Sequence, residues 1–396
     1  MSQPISHSLQ GPAPQREHAA WMHGLQAAVW LYLFVSAINV MGGALKALGH
    51  STTWLTDLLD AGGNPFIALI GGVVVTAVVQ SSSFTTSLII MLVGVGNMNV
   101  EMAVYAVMGA NIGTSITNNI VSMGTMRIKR QFRLGYTAAL MHGNVNLFTV
   151  IVLFPLEWIS SAMSSTGHGL LTRFSVAMAD WMGLSPVANP TSPVKWLTRP
   201  VVEAFNWFGD LVTPSDESKW ILVAVLGLVL LFLSLAFMVT NLKGALLRRV
   251  EGLFSSFLFR NDFMSGVVGV VSTIFVQSSS FTTSLMVPLA SAGAVTIRRA
   301  FPFMLGCNLG TTVTGVIAAT ANPVADAVSV AVCHVTFNVL AALVWYPLRA
   351  IPIGVAAWYA RLAARSKRYY FLFLGVVYFA IPLVVYLITT IFLGSP

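Results

Sequence analysis

Nine residues occur twice in this chain of 396. Gln80-Ser81-Ser82-Ser83-Phe84-Thr85-Thr86-Ser87-Leu88 returns as Gln277-Ser278-Ser279-Ser280-Phe281-Thr282-Thr283-Ser284-Leu285. The offset is 277 − 80 = 197 residues. Other positions keep the same offset: Asn64 and Phe66 match Asn261 and Phe263, and Gly72-Val73-Val74 matches Gly269-Val270-Val271. So does Gly109-Ala110-Asn111-Ile112-Gly113-Thr114, which meets Gly306-Cys307-Asn308-Leu309-Gly310-Thr311. After a five-residue shortening the offset becomes 334 − 142 = 192, and His142, Asn146, Pro155 and Leu156 match His334, Asn338, Pro347 and Leu348. So many matches in one order make the chain a tandem duplication. In both copies the hydroxyl-rich block interrupts an apolar run.

The solvent of this chain is lipid over much of its surface. Charged residues are 9% of it and hydrophobic residues 56%, with a mean hydropathy of +0.79. A soluble domain carries about 25% charged residues. The net charge of +8 does not point to nucleic acid, because Lys and Arg sit in short clusters between apolar runs. That is the pattern of positive charge retained on the cytoplasmic side of a membrane. The clusters are therefore read as topological signals and not as lipid or partner sites. Cys307 and Cys333 lie in apolar segments and behave as small hydrophobes.

Runs of about 20 apolar residues mark spanning helices. They predict an all-α integral membrane protein built from two inverted-topology repeats, each with a re-entrant helical hairpin and a broken transmembrane helix, plus one extra C-terminal helix. Residues 1–24 are expected to be a disordered cytoplasmic tail, 25–157 the first repeat and 220–369 the second. Residues 158–219 form an extracytoplasmic linker with an interfacial helix, and 370–396 the additional transmembrane helix. An amphipathic interfacial helix is also expected over 345–370. The broken helices are Met102–Ser122, interrupted at Gly109, Asn111 and Gly113, and Phe301–Ala319.

The inversion follows from charge. With the basic links at 127–133, 243–260, 298–299 and 361–368 inside and the linker outside, each Gln-Ser-Ser-Ser run enters and leaves on one side. The first hairpin then opens outward and the second inward. Glu157, outside, is matched by Arg349, inside. Inverted repeats meeting near the bilayer midplane are a transporter architecture.

A non-helical tip at membrane depth survives only when buried in protein or lining a wet cavity. A half-helix starting there offers free N–H groups and a positive dipole end to an anion. Ser and Thr hydroxyls add donors, while their lone pairs, amide oxygens and unwound carbonyls suit a hard cation such as sodium. An isolated Ser or Thr in a membrane helix more often bonds a nearby carbonyl, and Thr76 and Thr149 are read that way. His142 and His334 are read as buried histidines capping backbone groups. Asn111 and Asn308, between glycines, either bond freed backbone groups at the helix breaks or face the site directly.

The paired Gln-Ser-Ser-Ser blocks, the Gly-x-Asn-[Ile/Leu]-Gly-Thr segments, and Cys333-His334-x-x-Phe337-Asn338 followed by Trp345-Tyr346-Pro347 resemble the type II sodium–phosphate cotransporter family. The resemblance runs from about Asn64 to Pro347. It implies sodium-driven uptake of inorganic phosphate across the plasma (inner) membrane, without a further cofactor. The family pattern carried onto this chain implies phosphate contacts from Ser81, Ser82, Ser83, Ser278, Ser279 and Ser280, with Asn111 and Asn308 as further candidates. It implies one sodium site from Gln277, Ser278, Thr311 and Thr314. Symmetry extends this to Gln80, Thr114, Thr117 and Asn146. The pattern departs at Gly143, where electrogenic animal members have Asp after the His, which implies two sodium ions and an electroneutral cycle. A symporter of sulfate or a dicarboxylate, a passive channel and an intramembrane serine hydrolase are the rival functions. The expected partners are phosphate, sodium and the bilayer, no nucleic acid, and, if the chain assembles, a second copy as a homodimer.

Overall fold

The computed structural model describes residues 14–51, 63–182, 193–257, 261–321 and 323–392. Residues 1–13 of the expected tail, and the side chains of the basic cluster at 243–260, lie outside the described residues. The described chain is helical. The first helix, α1, is Pro14–Ser51, so helix begins well before residue 25. The first hairpin consists of α2 (Pro65–Val79) and α3 (Ser82–Gly94). α4 (Val100–Gly113) and α5 (Ser115–Ser122) follow, then the long α6 (Lys129–Ala162). The linker holds two helices, α7 (Leu170–Trp181) and α8 (Pro193–Val212), where one was expected.

The second repeat opens with α9 (Asp216–Phe257). Its hairpin is α10 (Asp262–Val276) and α11 (Ser279–Ser291), followed by α12 (Ile297–Ala321), α13 (Ala325–Trp345) and α14 (Ala350–Arg365). The additional segment is α15 (Lys367–Gly375), a π-helical turn at Val376–Ala380 and α16 (Ile381–Phe392). Six stretches among the described residues are long and apolar enough to cross a membrane: Gly24–Leu48, Lys129–Ala162, Asp216–Met238, Ile297–Ala321, Ala325–Trp345 and Lys367–Thr389. The chain is an all-α membrane protein.

The duplication is geometric as well as textual. α2 and α10 each have 15 residues, α3 and α11 each 13, and both pairs are offset by 262 − 65 = 279 − 82 = 197. The equivalent helices α1 and α9 pack along each other, with Trp30 stacked on Phe237 and Gly227 against Met41. Those two contacts run the helices antiparallel.

The broken helices need correction. α12 is continuous through Gly306 and Gly310, and between α4 and α5 Thr114 keeps right-handed helical angles, φ −54° and ψ −32°. The glycines serve another purpose. A Cβ on Gly109 would lie 1.9 Å from the Leu69 carbonyl oxygen, and one on Gly72 2.0 Å from that of Ala106. Gly306 and Gly269 stand in the same relation to Gly266 and Phe303, at 2.0 and 2.1 Å. Small residues at these crossings let the backbones of hairpin and following helix touch, the usual means of close packing in lipid.

The second arm of each hairpin then packs on the opposite repeat. α3 lies on α12 and α13, and α11 lies on α5 and α6. The amphipathic helix expected over 345–370 is α14, which Ser366 ends in extended conformation. It runs antiparallel along α6 on the buried residues Ala356, Ala360 and Ala363, with Asn144 Nδ2 donating to the Pro352 carbonyl at 3.0 Å. Glu157 and Arg349, the sign-changed pair, are each engaged: buried Glu157 accepts the Leu171 and Thr172 N–H groups at the start of α7, and Arg349 pairs with Asp262.

Gly109→Ala should destabilise the protein by about 3 kcal/mol, the upper end of overpacking costs. Gly71→Ala, whose added Cβ meets nothing within 4 Å, should leave it unchanged. Thermal denaturation of the two purified variants in detergent measures the difference.

Candidate functional site

At each hairpin tip the chain changes direction through one residue. Gln80 has φ 57° and Gln277 φ 53°, the two non-glycine residues with positive φ among the described residues. Each ends its helix in the left-handed conformation, its N–H bonded 2.7 Å to the carbonyl of Thr76 or Thr273. The next residue, Ser81 or Ser278, is extended and caps the following helix, its Oγ accepting the N–H of Phe84 at 3.2 Å or Phe281 at 3.3 Å. Gln-Ser-Ser-Ser is thus a helix stop followed by a helix start. Two helix N-termini result, and each brings two further serines into the protein interior.

Ser82, Ser83, Ser279 and Ser280 are all buried. Among the described residues their hydroxyls are not hydrogen-bonded, whereas neighbouring threonines return theirs to the helix: Thr86 to Ser82 O at 2.8 Å and Thr282 to Ser278 O at 2.6 Å. Free donors beside free helix N–H groups suit an oxyanion.

One polar chain links the second hairpin to the first repeat. Thr283 Oγ1 lies 3.0 Å from Asn118 Oδ1, and Asn118 Nδ2 lies 3.1 Å from His142 Nδ1. His142 Nε2 lies 2.6 Å from Asn308 Oδ1. Asn308 Nδ2 donates to Asn146 Oδ1 at 2.7 Å, and Asn146 Nδ2 to the Asn111 carbonyl at 2.6 Å. The amides leave one consistent assignment: His142 is neutral, accepting at Nδ1 and donating from Nε2. The histidine bonds side-chain amides instead of capping backbone. Asn111 and Asn308 differ, too. Asn111 Nδ2 returns to the Val107 carbonyl at 2.8 Å, the backbone role, while Asn308 faces Asn146 and His142.

The two halves are not in the same state. Thr273 and Thr282 join the arms of the second hairpin at 2.9 Å, and Thr314 Oγ1 donates to Gln277 Oε1 at 2.9 Å. In the first hairpin the equivalent atoms, Thr76 Oγ1 and Thr117 Oγ1, are buried without a partner. Gln277 is 8% exposed, whereas Gln80 is exposed to solvent. The mirror of the polar chain is open as well. Both ring nitrogens of His334 and Oδ1 of Asn338 lack partners, so His334 does not cap backbone either. Part of this is written in the sequence: the counterpart of Asn118 is Gly315 (118 + 197), and a Cβ there would lie 3.1 Å from Ile90 Cδ1, whose own counterpart (90 + 197) is the smaller Val287. Thr114 and Thr311 both bond carbonyls four residues back, Ala110 and Cys307, at 2.9 Å.

A sequence profile described as Na+/Pi-cotransporter matches residues 33–173 and 230–385, most of both repeats. The chain belongs to that family. Among curated relatives it is 29% identical to sodium-dependent phosphate transport protein 2A of Ovis aries, over 90% of this chain and 66% of the relative. It is 28% identical to sodium-dependent phosphate transport protein 2B of Homo sapiens, over 90% of this chain and 64% of the relative. The chain therefore spans just under two thirds of the length of these relatives. No solved structure matches it.

Within this family member, sequence reasoning passed over Asn118 and Asn119, although two adjacent asparagines in an apolar helix are themselves a signal. It also passed over Ser115, Tyr370 and Tyr378. Tyr378, in the π-helical turn, bonds Ser115 Oγ at 2.6 Å and Asn119 Nδ2 at 3.1 Å, and Tyr370 Oη donates to the Asn119 carbonyl at 2.7 Å. The additional helix thus closes the outer side of α5, and nothing local in its sequence marks it for that. Of the two isolated threonines, Thr149 bonds the Val145 carbonyl at 2.7 Å as expected, and Thr76 does not bond its own helix.

Thiol labelling reads the asymmetry of the tips. Cys307 and Cys333 are buried and free, so a Gln80→Cys variant should react with a water-soluble maleimide while Gln277→Cys stays protected. Equal labelling of the two would contradict the exposed and latched tips.

Proposed function

We propose that this protein is a secondary active symporter that couples sodium entry to uptake of inorganic phosphate by alternating access. The observation that carries the reading is the pair of mirrored helix N-termini, each presenting two buried serines with free hydroxyls. Phosphate is bound at such ends by N–H groups and hydroxyls without a fixed cation. The ligand set is Ser81, Ser82 and Ser83 with Ser278, Ser279 and Ser280, and Asn308 braces it from α12. Sodium takes oxygen ligands from Gln277, Ser278, Thr311 and Thr314, and a second ion from Gln80, Thr114, Thr117 and Asn146. The names of the relatives in two mammals support both substrates.

Alternating access is supported by the antiparallel run of α1 and α9 and by the unequal state of the hairpins. A repeat pair of inverted copies exchanges roles between its two states. In this conformation the second hairpin is latched and the first is loose. The orientation rests on charge: N-terminus and basic links inside, residues 158–219 outside.

The hydrolase reading loses its base. A serine nucleophile needs a histidine within hydrogen-bond reach to take its proton, but His142 has both nitrogens engaged by asparagines and neither nitrogen of His334 bonds a serine.

Electroneutral transport follows from two sodium ions per divalent phosphate. Gly143 supplies no carboxylate for a third ion, and a Cβ there would already lie 3.0 Å from Ser115 Oγ. In proteoliposomes, labelled phosphate should accumulate under an inward sodium gradient and not under potassium; equal uptake in the two would remove the symport reading. Ser82→Ala and Ser279→Ala should each lower uptake at least about tenfold, the effect of losing one hydrogen bond to a charged group. Under voltage clamp, uptake should proceed without a matching current, and a current tracking phosphate would overturn the two-sodium cycle.

A further inference from the structure

We propose that a cleft between the start of α6 and the end of α14 binds the phosphate-bearing headgroup of an anionic membrane lipid. The cleft has a volume of about 480 Å³ and is lined by Lys129, Arg130, Arg133, Arg361, Ala364 and Arg365. Five of these six residues are cations, and none of the six is an acid. Among the described residues the carboxylates in ion pairs are joined to Arg199, Lys219 and Arg349, so the five cations have no carboxylate partner.

Topology alone does not ask for this. Retention on the cytoplasmic side requires basic residues to lie on one face of the membrane; it does not require clusters 361 − 133 = 228 residues apart to converge. The convergence is made by packing. Ala356, Ala360 and Ala363 let α14 lie against α6, and the antiparallel run carries Arg361 and Arg365 back to the first turns of α6. Like charges held this close repel unless an anion sits among them. Arg forks bind phosphate oxygens in pairs and Lys adds a point charge.

The surroundings favour a lipid over a free ion. Trp358, 58% exposed, precedes Arg361 by three positions and shares its face of α14, and Ile128, 53% exposed, directly precedes Lys129. Tyr359 Oη donates to the Tyr369 carbonyl at 2.6 Å, which brings α15, with exposed Phe371 and Leu372, to the same edge. A headgroup in the cleft would leave its acyl chains against these apolar side chains. Because α6 belongs to one repeat and α14 to the other, the bound lipid would bridge the two copies on the cytoplasmic side. The basic clusters then serve as a lipid site in addition to setting topology.

The test titrates the purified, delipidated full chain in neutral detergent with phosphatidylglycerol or phosphatidylcholine and counts bound lipid by native mass spectrometry. Phosphatidylglycerol should be retained and phosphatidylcholine not. The double variant Arg133→Gln/Arg361→Gln should bind phosphatidylglycerol weaker by about tenfold or more, as the loss of two cations near an anionic headgroup implies. Arg173→Gln, an exposed charge away from the cleft, should bind as the parent does. Equal retention of both lipids by the parent, which needs no variant to fold, would overturn the proposal, and so would undiminished binding by a folded double variant. Inorganic phosphate is the third arm: if it displaces phosphatidylglycerol at equal concentration, the cleft is a free-phosphate site and the lipid assignment falls.

Discussion

A polar group at membrane depth has no water to fall back on, so the protein must satisfy it internally or leave it for a ligand. The interior of this chain is arranged around that choice. Thr283, Asn118, His142, Asn308, Asn146 and the Asn111 carbonyl close one continuous chain of bonds through both repeats. Deleting a middle member would strand buried donors and acceptors on either side, at about 1–3 kcal/mol for each. The buried serine hydroxyls at the hairpin tips are left out of that chain of bonds, and the proposed phosphate site is built on them.

Burying two helix starts in the protein interior brings the backbones closer than ordinary side chains permit. Gly72 and Gly109, with their equivalents Gly269 and Gly306, allow it by letting hairpin and following helix touch. The second arm of each hairpin packs on the opposite repeat. Only the second hairpin is latched here, by Thr273–Thr282, Gln277–Thr314 and Thr283–Asn118. Identical nine-residue blocks thus sit in different local states. What separates them is the company each keeps: Asn118 bonds Thr283 of the second hairpin, while its counterpart Gly315, beside Ile90 of the first, has no side chain to offer.

Much of the fold was legible in the letters. The two nine-residue copies predicted a hairpin in each repeat, and the arms of the two hairpins have equal lengths. The glycines were legible as special and misread in purpose, because a run such as Gly-x-Asn-x-Gly looks the same whether it breaks a helix or admits a neighbouring backbone. The distinction depends on what lies across from it. The histidines were misread for a similar reason. His142 and His334 occupy equivalent positions, but one is bonded at both nitrogens and the other at neither, and that difference lies in partners more than 20 residues away in sequence.

By itself the sequence determined whatever depends on neighbours within about one helical turn: the left-handed stop at Gln80 and Gln277, the serine caps that follow, the apolar spans and the doubling of the whole plan. Hydrogen bonds of that range form wherever the local residues permit them. Only the tertiary structure decided which asparagine meets which histidine, which hairpin is closed, and that Tyr370 and Tyr378 of the unduplicated helix seal α5. Those bonds join residues as much as 263 positions apart, and they exist because packing the two copies against each other brings the groups within reach in a buried interior, where no competing water can take their place.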